Sequence, residues 1–285
     1  MPTDELTDSQ PAIPPDSAEK EIRLRRLMQD VGSVLVAYSG GVDSTYLAAI
    51  ATSELRDDAI CVFGISPSVS AYQISIAEAS AARLRLNLVK IETFEADKPE
   101  YLANAPDRCF HCKTELYSKI SEIAVRHGIA NIFDGTNADD LHDYRPGREA
   151  AAKLGVRSPL AELGLTKREI RLLSRRMELP TADLPASPCL ASRIPHGLPV
   201  TIERLSRIEK AESELRRLGF SEFRVRHFEG HARIEVARNE IRRAISPEVN
   251  KEINKRLTAL GFRFVRVAID GFQSGSLNAV AIKLK

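Results

Sequence analysis

No apolar run in the sequence approaches the roughly 20 residues needed to cross a bilayer, and no basic segment leads into an apolar stretch at the N-terminus. A membrane span and export are therefore not expected, and a cytoplasmic location is. Four cysteines in 285 residues are too few for a disulfide scaffold, and a reducing compartment would keep them free for metal binding or chemistry. No internal repeat is visible, which sets aside the stacked-repeat architectures. With 43% hydrophobic and 28% charged residues, a largely disordered chain is excluded and a packed core is possible.

The net charge is only +2 but is unevenly placed. From Val200 onward there are 18 Lys and Arg against 11 Asp and Glu, and before it 23 against 28. The basic C-terminal part points to an anionic partner, either a phosphorylated small molecule or nucleic acid, or else to a solvated helix surface. Residues 1–18, rich in proline and acids, read as a disordered tail. A helix is expected over Glu19–Met28, followed by buried strands at Val34–Ala37, Ile60–Ile65, Leu88–Ile91 and Ile132–Phe133 with helices between them. That alternation predicts an α/β fold, a parallel sheet with its ligand crevice at the carboxyl ends of the strands. Thr166 and Glu169 form a capping box for a helix to about Met177. Prolines at 180, 185, 188, 195 and 199 then make a loop over 181–200. Thr201–Leu218 and Pro247–Leu260 read as helices, and Phe223–Phe228, Ala232–Val236, Phe264–Ile269 and Ala279–Leu284 as strands. The expected division is thus a nucleotide-binding domain over 19–180, the loop, and a smaller α+β domain over 201–285 for substrate binding and oligomerisation.

After the first strand stands Ser39-Gly40-Gly41-Val42-Asp43-Ser44. Two glycines let the backbone turn tightly and bring N–H groups against phosphate oxygens at the positive end of the next helix. Ser39 and Ser44 add hydroxyl donors, and Asp43 suits a magnesium ion or an orienting role. The lysine of a Walker loop is missing, which favours cleavage between the α and β phosphates of ATP over γ-transfer. Gly135, Thr136 and Asn137, ending the fourth strand, supply further groups for phosphate and magnesium, or simply a polar turn. Ser66, ending the second strand, is a weaker candidate for contacting the nucleotide.

Cys109 and Cys112 sit two residues apart in Arg-Cys-Phe-His-Cys-Lys, and Cys189 lies 77 residues beyond Cys112 in the proline-rich loop. Three thiolates without an obvious fourth suggest an iron–sulfur cluster with one open position, whereas structural zinc would want four ligands. The pair alone could instead be a redox couple. Cys61, in an apolar strand, reads as a core residue, and His111 and His196 as surface residues.

The SGGVDS loop, Arg108-Cys-Phe-His-Cys-Lys113, Gly135-Thr-Asn-Ala-Asp-Asp-Leu-His-Asp-Tyr-Arg-Pro-Gly147, Ser158-Pro-Leu160, Cys189-Leu-Ala-Ser-Arg193, Val225-Arg-His227, Ala232-Arg-Ile-Glu235 and Gly275-Ser-Leu-Asn278 together resemble the LarE family. These are ATP-dependent sulfur transferases that act in building the nickel-pincer nucleotide cofactor of lactate racemase. The resemblance covers about residues 20 to 285 and implies a PP-loop fold of the adenine nucleotide alpha hydrolase type with helices on both faces of the sheet. It implies that ATP, with magnesium, adenylates a carboxylate of a pyridinium dicarboxylate mononucleotide, and that sulfur then displaces AMP to leave a thiocarboxylate. In one branch of the family the cysteine matching Cys189 gives up its own sulfur. In another, three cysteines hold a four-iron four-sulfur cluster carrying an extra sulfide, and Cys109, Cys112 and Cys189 match that branch. Arg193, Arg224 and Arg226 are candidate clamps for the substrate phosphate and carboxylates. Glu212 would orient those arginines, and Lys113 would stabilise phosphoryl charge. A homo-oligomer supplied by a sulfide donor system, without membrane or nucleic-acid partners, is the expected setting.

Two rival readings stay open. tRNA two-thiocytidine synthetases combine a PP-loop with closely spaced cysteines and a later third, but their loop usually reads SGGKDS where this chain has Val42. A nucleotide-binding module without catalysis is the other, opposed by the intact Ser39, Asp43 and Ser44.

Overall fold

The computed structural model describes residues 13–142 and 146–272. Helix α1 (Pro15–Val31) begins four residues before the Glu19 expected for it. Proline is tolerated in a first turn, and Ser17 is buried there, donating to Glu169 Oε1 at 2.9 Å. Residues 15 to 18 therefore belong to the folded body. Ser17, Glu21, Leu24 and Met28 repeat at helical spacing and form the buried stripe of α1.

Strand β1 (Val34–Ala37) leads into α2 (Val42–Leu55), and β2 (Ala59–Ile65) into α3 (Ala71–Arg83). After β3 (Asn87–Glu92) come the short α4 (Pro99–Leu102), the long α5 (Arg108–His127) and β4 (Ile132–Asp134). The sheet is parallel throughout, in the order β3-β2-β1-β4. Side-chain alternation divides its core in two. Val34 and Val36 join α1, α2 and α3 on one face, while Leu35 and Ala37 meet Tyr117, Ile120 and Ile123 of α5 on the other. Helices α6 (Pro146–Lys153), α7 (Pro159–Glu162) and α8 (Lys167–Arg176) complete the layers. The expected capping box is formed: Thr166 Oγ1 accepts from the Glu169 N–H, and Glu169 Oε2 accepts from the Thr166 N–H at 2.9 Å. Burial opposes ionisation of Glu169, but hydrogen bonds from Thr166, Lys20 and Ser17 hold its carboxyl down at about 2.

The proline-rich segment forms only one 3-10 turn, Leu190–Arg193. Beyond it α9 (Ile202–Arg217), the antiparallel hairpin β5 (Phe223–Phe228) and β6 (His231–Val236), α10 (Ile241–Ala244), α11 (Pro247–Ala259) and β7 (Phe264–Val267) build a small α+β unit. Strand β7 runs parallel to β6, giving the order β5-β6-β7. The expected strand Ala279–Leu284 and the Gly275–Asn278 motif lie outside the described residues, as do Asp143, Tyr144 and Arg145 of the Gly135–Gly147 stretch. No helix among the described residues is long and apolar enough to cross a membrane.

Candidate functional site

The glycine loop closes β1 at the carboxyl edge of the sheet. Gly40 has φ 72°, and a Cβ there would lie 2.6 Å from Ala77 Cβ on α3, so only glycine fits. Ser39 and Ser44 hydroxyls are 2.9 Å apart, and the Ser39 N–H donates to Ser44 Oγ at 3.1 Å, which fixes the curve of the loop. Gly41 is the N-cap of α2, with Val42 at its first position, so first-turn N–H groups of α2 are presented where a phosphate can meet them. A Cβ on Gly135 would stand 2.8 Å from the Ser44 nitrogen, so the end of β4 packs directly on this helix start.

Asp43 is joined by a residue that sequence reasoning missed. Lys167 Nζ contacts Asp43 Oδ2 at 2.5 Å across 124 positions of chain, and the Lys167 N–H donates to Asp139 Oδ2 at 2.9 Å. The other oxygen, Asp43 Oδ1, is buried without a hydrogen-bond partner. Burial raises the Asp43 carboxyl, Lys167 pulls it back, and Asp140 adds to the rise. The turn after β4 is largely self-satisfied. Asp134 accepts from Tyr117, Thr136 and Ser158 hydroxyls at 3.0, 3.1 and 2.7 Å. Asn137 Oδ1 accepts from the N–H groups of Asp139 and Asp140 at 2.9 and 3.2 Å. Thr136 and Asn137 thus shape the floor of the loop in this state. Ser66 is likewise engaged, donating to buried Glu95 at 2.5 Å beside Ser68.

The start of α5, with Cys109 and Cys112, and the loop with Cys189 are held against one another, near enough for the thiols to influence each other's charge. Asn104 Nδ2 donates to the carbonyls of Pro195 and Leu198 at 2.8 and 2.7 Å, and Arg108 Nη1 donates to Ala191 O at 3.0 Å. The segment that starts α5, and so carries Cys109 and Cys112, thereby holds the loop that carries Cys189. Leu190 N–H donates to Ser68 O at 2.8 Å and Gln73 Nε2 to Ser187 O at 2.5 Å, tying the same loop to the β2–α3 connection next to the glycine loop. Cys112 and Cys189 pack against one apolar cluster with Tyr101 and Leu190. The Cys112 thiol is pushed up by burial, then by Glu95 and Cys189. The protein around Cys109 raises its thiol too, followed by Cys189, with Arg108 and Lys113 opposing. Among the described residues no three His, Cys, Asp or Glu side chains form a site for a single metal ion. Lys113 lies over the Tyr117 ring at 5.2 Å and is kept charged first by Tyr117, then by Cys112 and Asp134. Cys61 is wholly buried in β2. His111 faces Asp107 at 3.3 Å and lies edge-to-face with the Phe110 ring, and His196 faces the Asn104 carbonyl at 3.2 Å.

The arginines divide by role. Arg193, buried under the loop, makes a two-point pair with Glu212 at 2.9 and 3.1 Å and donates to Pro188 O and Cys189 O at 2.5 and 3.1 Å. Glu212 also accepts from the Val225 N–H at 3.1 Å. Arg193 therefore positions the Cys189 backbone, with Nε, Nη1 and Nη2 all engaged. Arg226 pairs with Glu235 at 3.0 Å and holds Ser192 O at 3.0 Å. Arg224 is buried and hydrogen-bonded to the carbonyls of Phe223 and Ala186, with no carboxylate ion pair among the described residues. Burial, then Arg193 and Arg226, lower its guanidinium to about 10. Of the three, Arg224 alone has no carboxylate ion pair among the described residues, whereas Arg193 and Arg226 are paired with Glu212 and Glu235. Arg193→Ala should cost about 3–5 kcal/mol, because it strands a buried Glu212 carboxylate. Thermal denaturation checks this, and a melting temperature within a degree of the parent would refute the pair's structural role.

No protein-family model matches the chain. Three curated relatives share most of its length. An uncharacterized protein of Synechocystis sp. is 40% identical over 91% of this chain and 97% of its own. An uncharacterized protein of Methanocaldococcus jannaschii is 29% identical over 85% of this chain and 91% of its own. The pyridinium-3,5-bisthiocarboxylic acid mononucleotide synthase of Lactiplantibacillus plantarum is 34% identical over 93% of this chain and 96% of its own. Identity at that level over nearly the whole length of both chains shows that this chain belongs to the LarE-type family of that synthase.

Proposed function

We propose that the chain is an ATP-dependent sulfur transferase of nickel-pincer nucleotide cofactor biosynthesis, acting on a pyridinium-3,5-dicarboxylate mononucleotide. The observation that carries the reading is the meeting of Cys189 with Cys112 at the edge of the sheet that presents the SGGVDS loop. A carboxylate is a poor electrophile, so it must first be given a leaving group. A carboxylate oxygen attacks the α-phosphorus of ATP, the α–β bridging bond breaks, and pyrophosphate leaves. The α2 N-terminus and Lys167 stabilise the departing charge, and the partnerless Asp43 Oδ1 suits the hard magnesium ion that accompanies it. Sulfur then attacks the acyl carbon and expels AMP, leaving a thiocarboxylate. Arg224 offers the substrate anion a desolvated guanidinium, while Arg193 and Glu212 hold the Cys189 loop in place.

Cys112 and Cys189 pack against one apolar cluster, with Cys109 exposed beside them on α5, and soft thiolate donors suit an iron–sulfur group better than a hard ion. A four-iron four-sulfur cluster held by Cys109, Cys112 and Cys189 would supply the sulfide for transfer. The test is anaerobically purified protein given ATP, magnesium, the mononucleotide and sulfide. AMP and pyrophosphate should accumulate with the thiocarboxylate, with about four irons bound per chain. ADP and phosphate would refute adenylation. Turnover without iron, accompanied by loss of one hydrogen sulfide mass from Cys189, would assign the sulfur to the cysteine itself.

A further inference from the structure

Helix α9 begins immediately after the cysteine loop. Its first two turns, the β5–β6 turn and the α11–β7 junction together enclose a cleft of about 370 Å³. Arg204 and Arg207 of α9 line it, with Arg263 from the junction, and Glu203 and Glu229 also border it. Arg204 gives one N–H to Pro199 O, Arg263 gives one to Glu229 O at 3.1 Å, and Arg207 lies over the Phe262 ring at 5.7 Å. Among the described residues none of the three pairs with a carboxylate, and a guanidinium carries five donors, so most of these N–H groups are unspent. Thr201 caps the helix by accepting from the Arg204 N–H at 3.2 Å, which leaves the N–H groups of Ile202 and Glu203 outside the intrahelical ladder. The positive end of α9 thus adds to the three cations.

His227 lines the same cleft. It is only 2% exposed, tilted at 56° against Phe262 with ring centroids 5.3 Å apart, and neither Nδ1 nor Nε2 has a hydrogen-bond partner. Buried polar groups are nearly always hydrogen-bonded, so a ring left open on a cavity wall calls for a partner from the cavity, whether water, an ion or a ligand. The catalytic reading uses none of these residues. They lie on the small α+β unit, whereas the glycine loop belongs to the four-stranded sheet.

We propose that this cleft binds a phosphate monoester at a site separate from the nucleotide loop, with Arg204, Arg207 and Arg263 gripping the phosphoryl oxygens and His227 donating a ring N–H. Three guanidinium groups from two parts of the chain, joined by a helix N-terminus, suit a tetrahedral dianion with several acceptors better than a planar carboxylate. The volume exceeds what a bare phosphate fills, so an organic group on the ester is accommodated, up to about the size of a mononucleotide.

The ring resonances of His227, assigned by comparison with His227→Gln, report on this cleft alone. Inorganic phosphate and AMP are the probes, titrated into the full-length chain. Both should shift the His227 signals saturably, with AMP the tighter. Burial first, then Arg207 and Arg204, depress the free imidazole to about 4. A bound dianion favours the protonated ring, so the His227 pKa should rise by at least about one unit on saturation. Arg207→Ala and Arg204→Ala, each checked for an unchanged melting profile, should weaken both probes at least tenfold while leaving pyrophosphate release intact. Unchanged affinity in those two variants would overturn the site, as would the absence of any saturable shift. Tighter binding of single-stranded RNA than of AMP at the same salt would overturn the small-molecule assignment. None of these outcomes depends on whether the chain transfers sulfur.

Discussion

Replacing Cys189 with alanine is expected to lower thiocarboxylate formation by ~1000-fold or more, a barrier increase of about 4 kcal/mol, and to abolish iron binding. The loop that carries this thiol is held by Arg108, Asn104, Arg193 and Gln73 through its backbone, and none of those bonds uses the Cys189 side chain. The variant should therefore fold normally, and the loss will be chemical. Cys109→Ala and Cys112→Ala should behave alike. Cys61→Ala is the control. That thiol is sealed inside β2, where burial pushes it up to about 12, and its removal should cost about 1 kcal/mol of stability with iron and activity retained. Iron content and product measured under anaerobic conditions check the set. Full iron binding by Cys189→Ala would overturn the three-thiol assignment.

The Asp43 and Lys167 pair carries the second large effect. Asp43→Ala should slow pyrophosphate release by ~100-fold to ~1000-fold, because it removes both the buried oxygen open to a cation and the partner that aims Lys167. Lys167→Met should act mainly on the affinity for ATP, by ~10-fold to ~100-fold, through loss of phosphate contacts. It also has a pH signature. Burial raises the Asp43 carboxyl and Lys167 is the first influence opposing that rise, so removing the lysine lets the carboxyl climb further. The protonated, inactive form then appears at higher pH, and the acidic limb of the rate profile should move upward. Pyrophosphate release in the two single variants and the double variant provides the measurement. Strictly additive losses would show that the two residues do not act together.

Much of the fold was legible because its signals are local. The runs Val34–Ala37 and Phe223–Phe228 match their strands to the residue, since a buried parallel strand and an alternating strand each announce themselves within a few positions. The glycine loop was legible for the same reason. Lys167 was not, because its role depends on a partner 124 residues away. A trace was nevertheless present. Lysine at the first position of a helix opposes the helix dipole, and it stood inside a capping box that was already recognised. Arg224 and Arg226 share one face of β5, so pattern alone could not separate them. Only the neighbouring strand and the loops decide that Arg226 finds Glu235 while Arg224 keeps its charge. The early start of α1 was hidden similarly, its warrant being Glu169 on a distant helix.

The way Asn104 and Arg108 fasten the Cys189 loop has a consequence for the order in which the molecule comes apart. The nucleotide loop closes over six consecutive residues, whereas the thiol pocket depends on bonds spanning 83 to 94 positions. Contacts of such long range return their free energy only after a large closure entropy has been met. Regions held by a few polar tethers also open at lower cost than a buried sheet. On the proposed function, mild denaturant should therefore free the Cys189 loop before it disrupts the parallel sheet, and a partly unfolded chain should lose thiocarboxylate formation before it loses ATP binding.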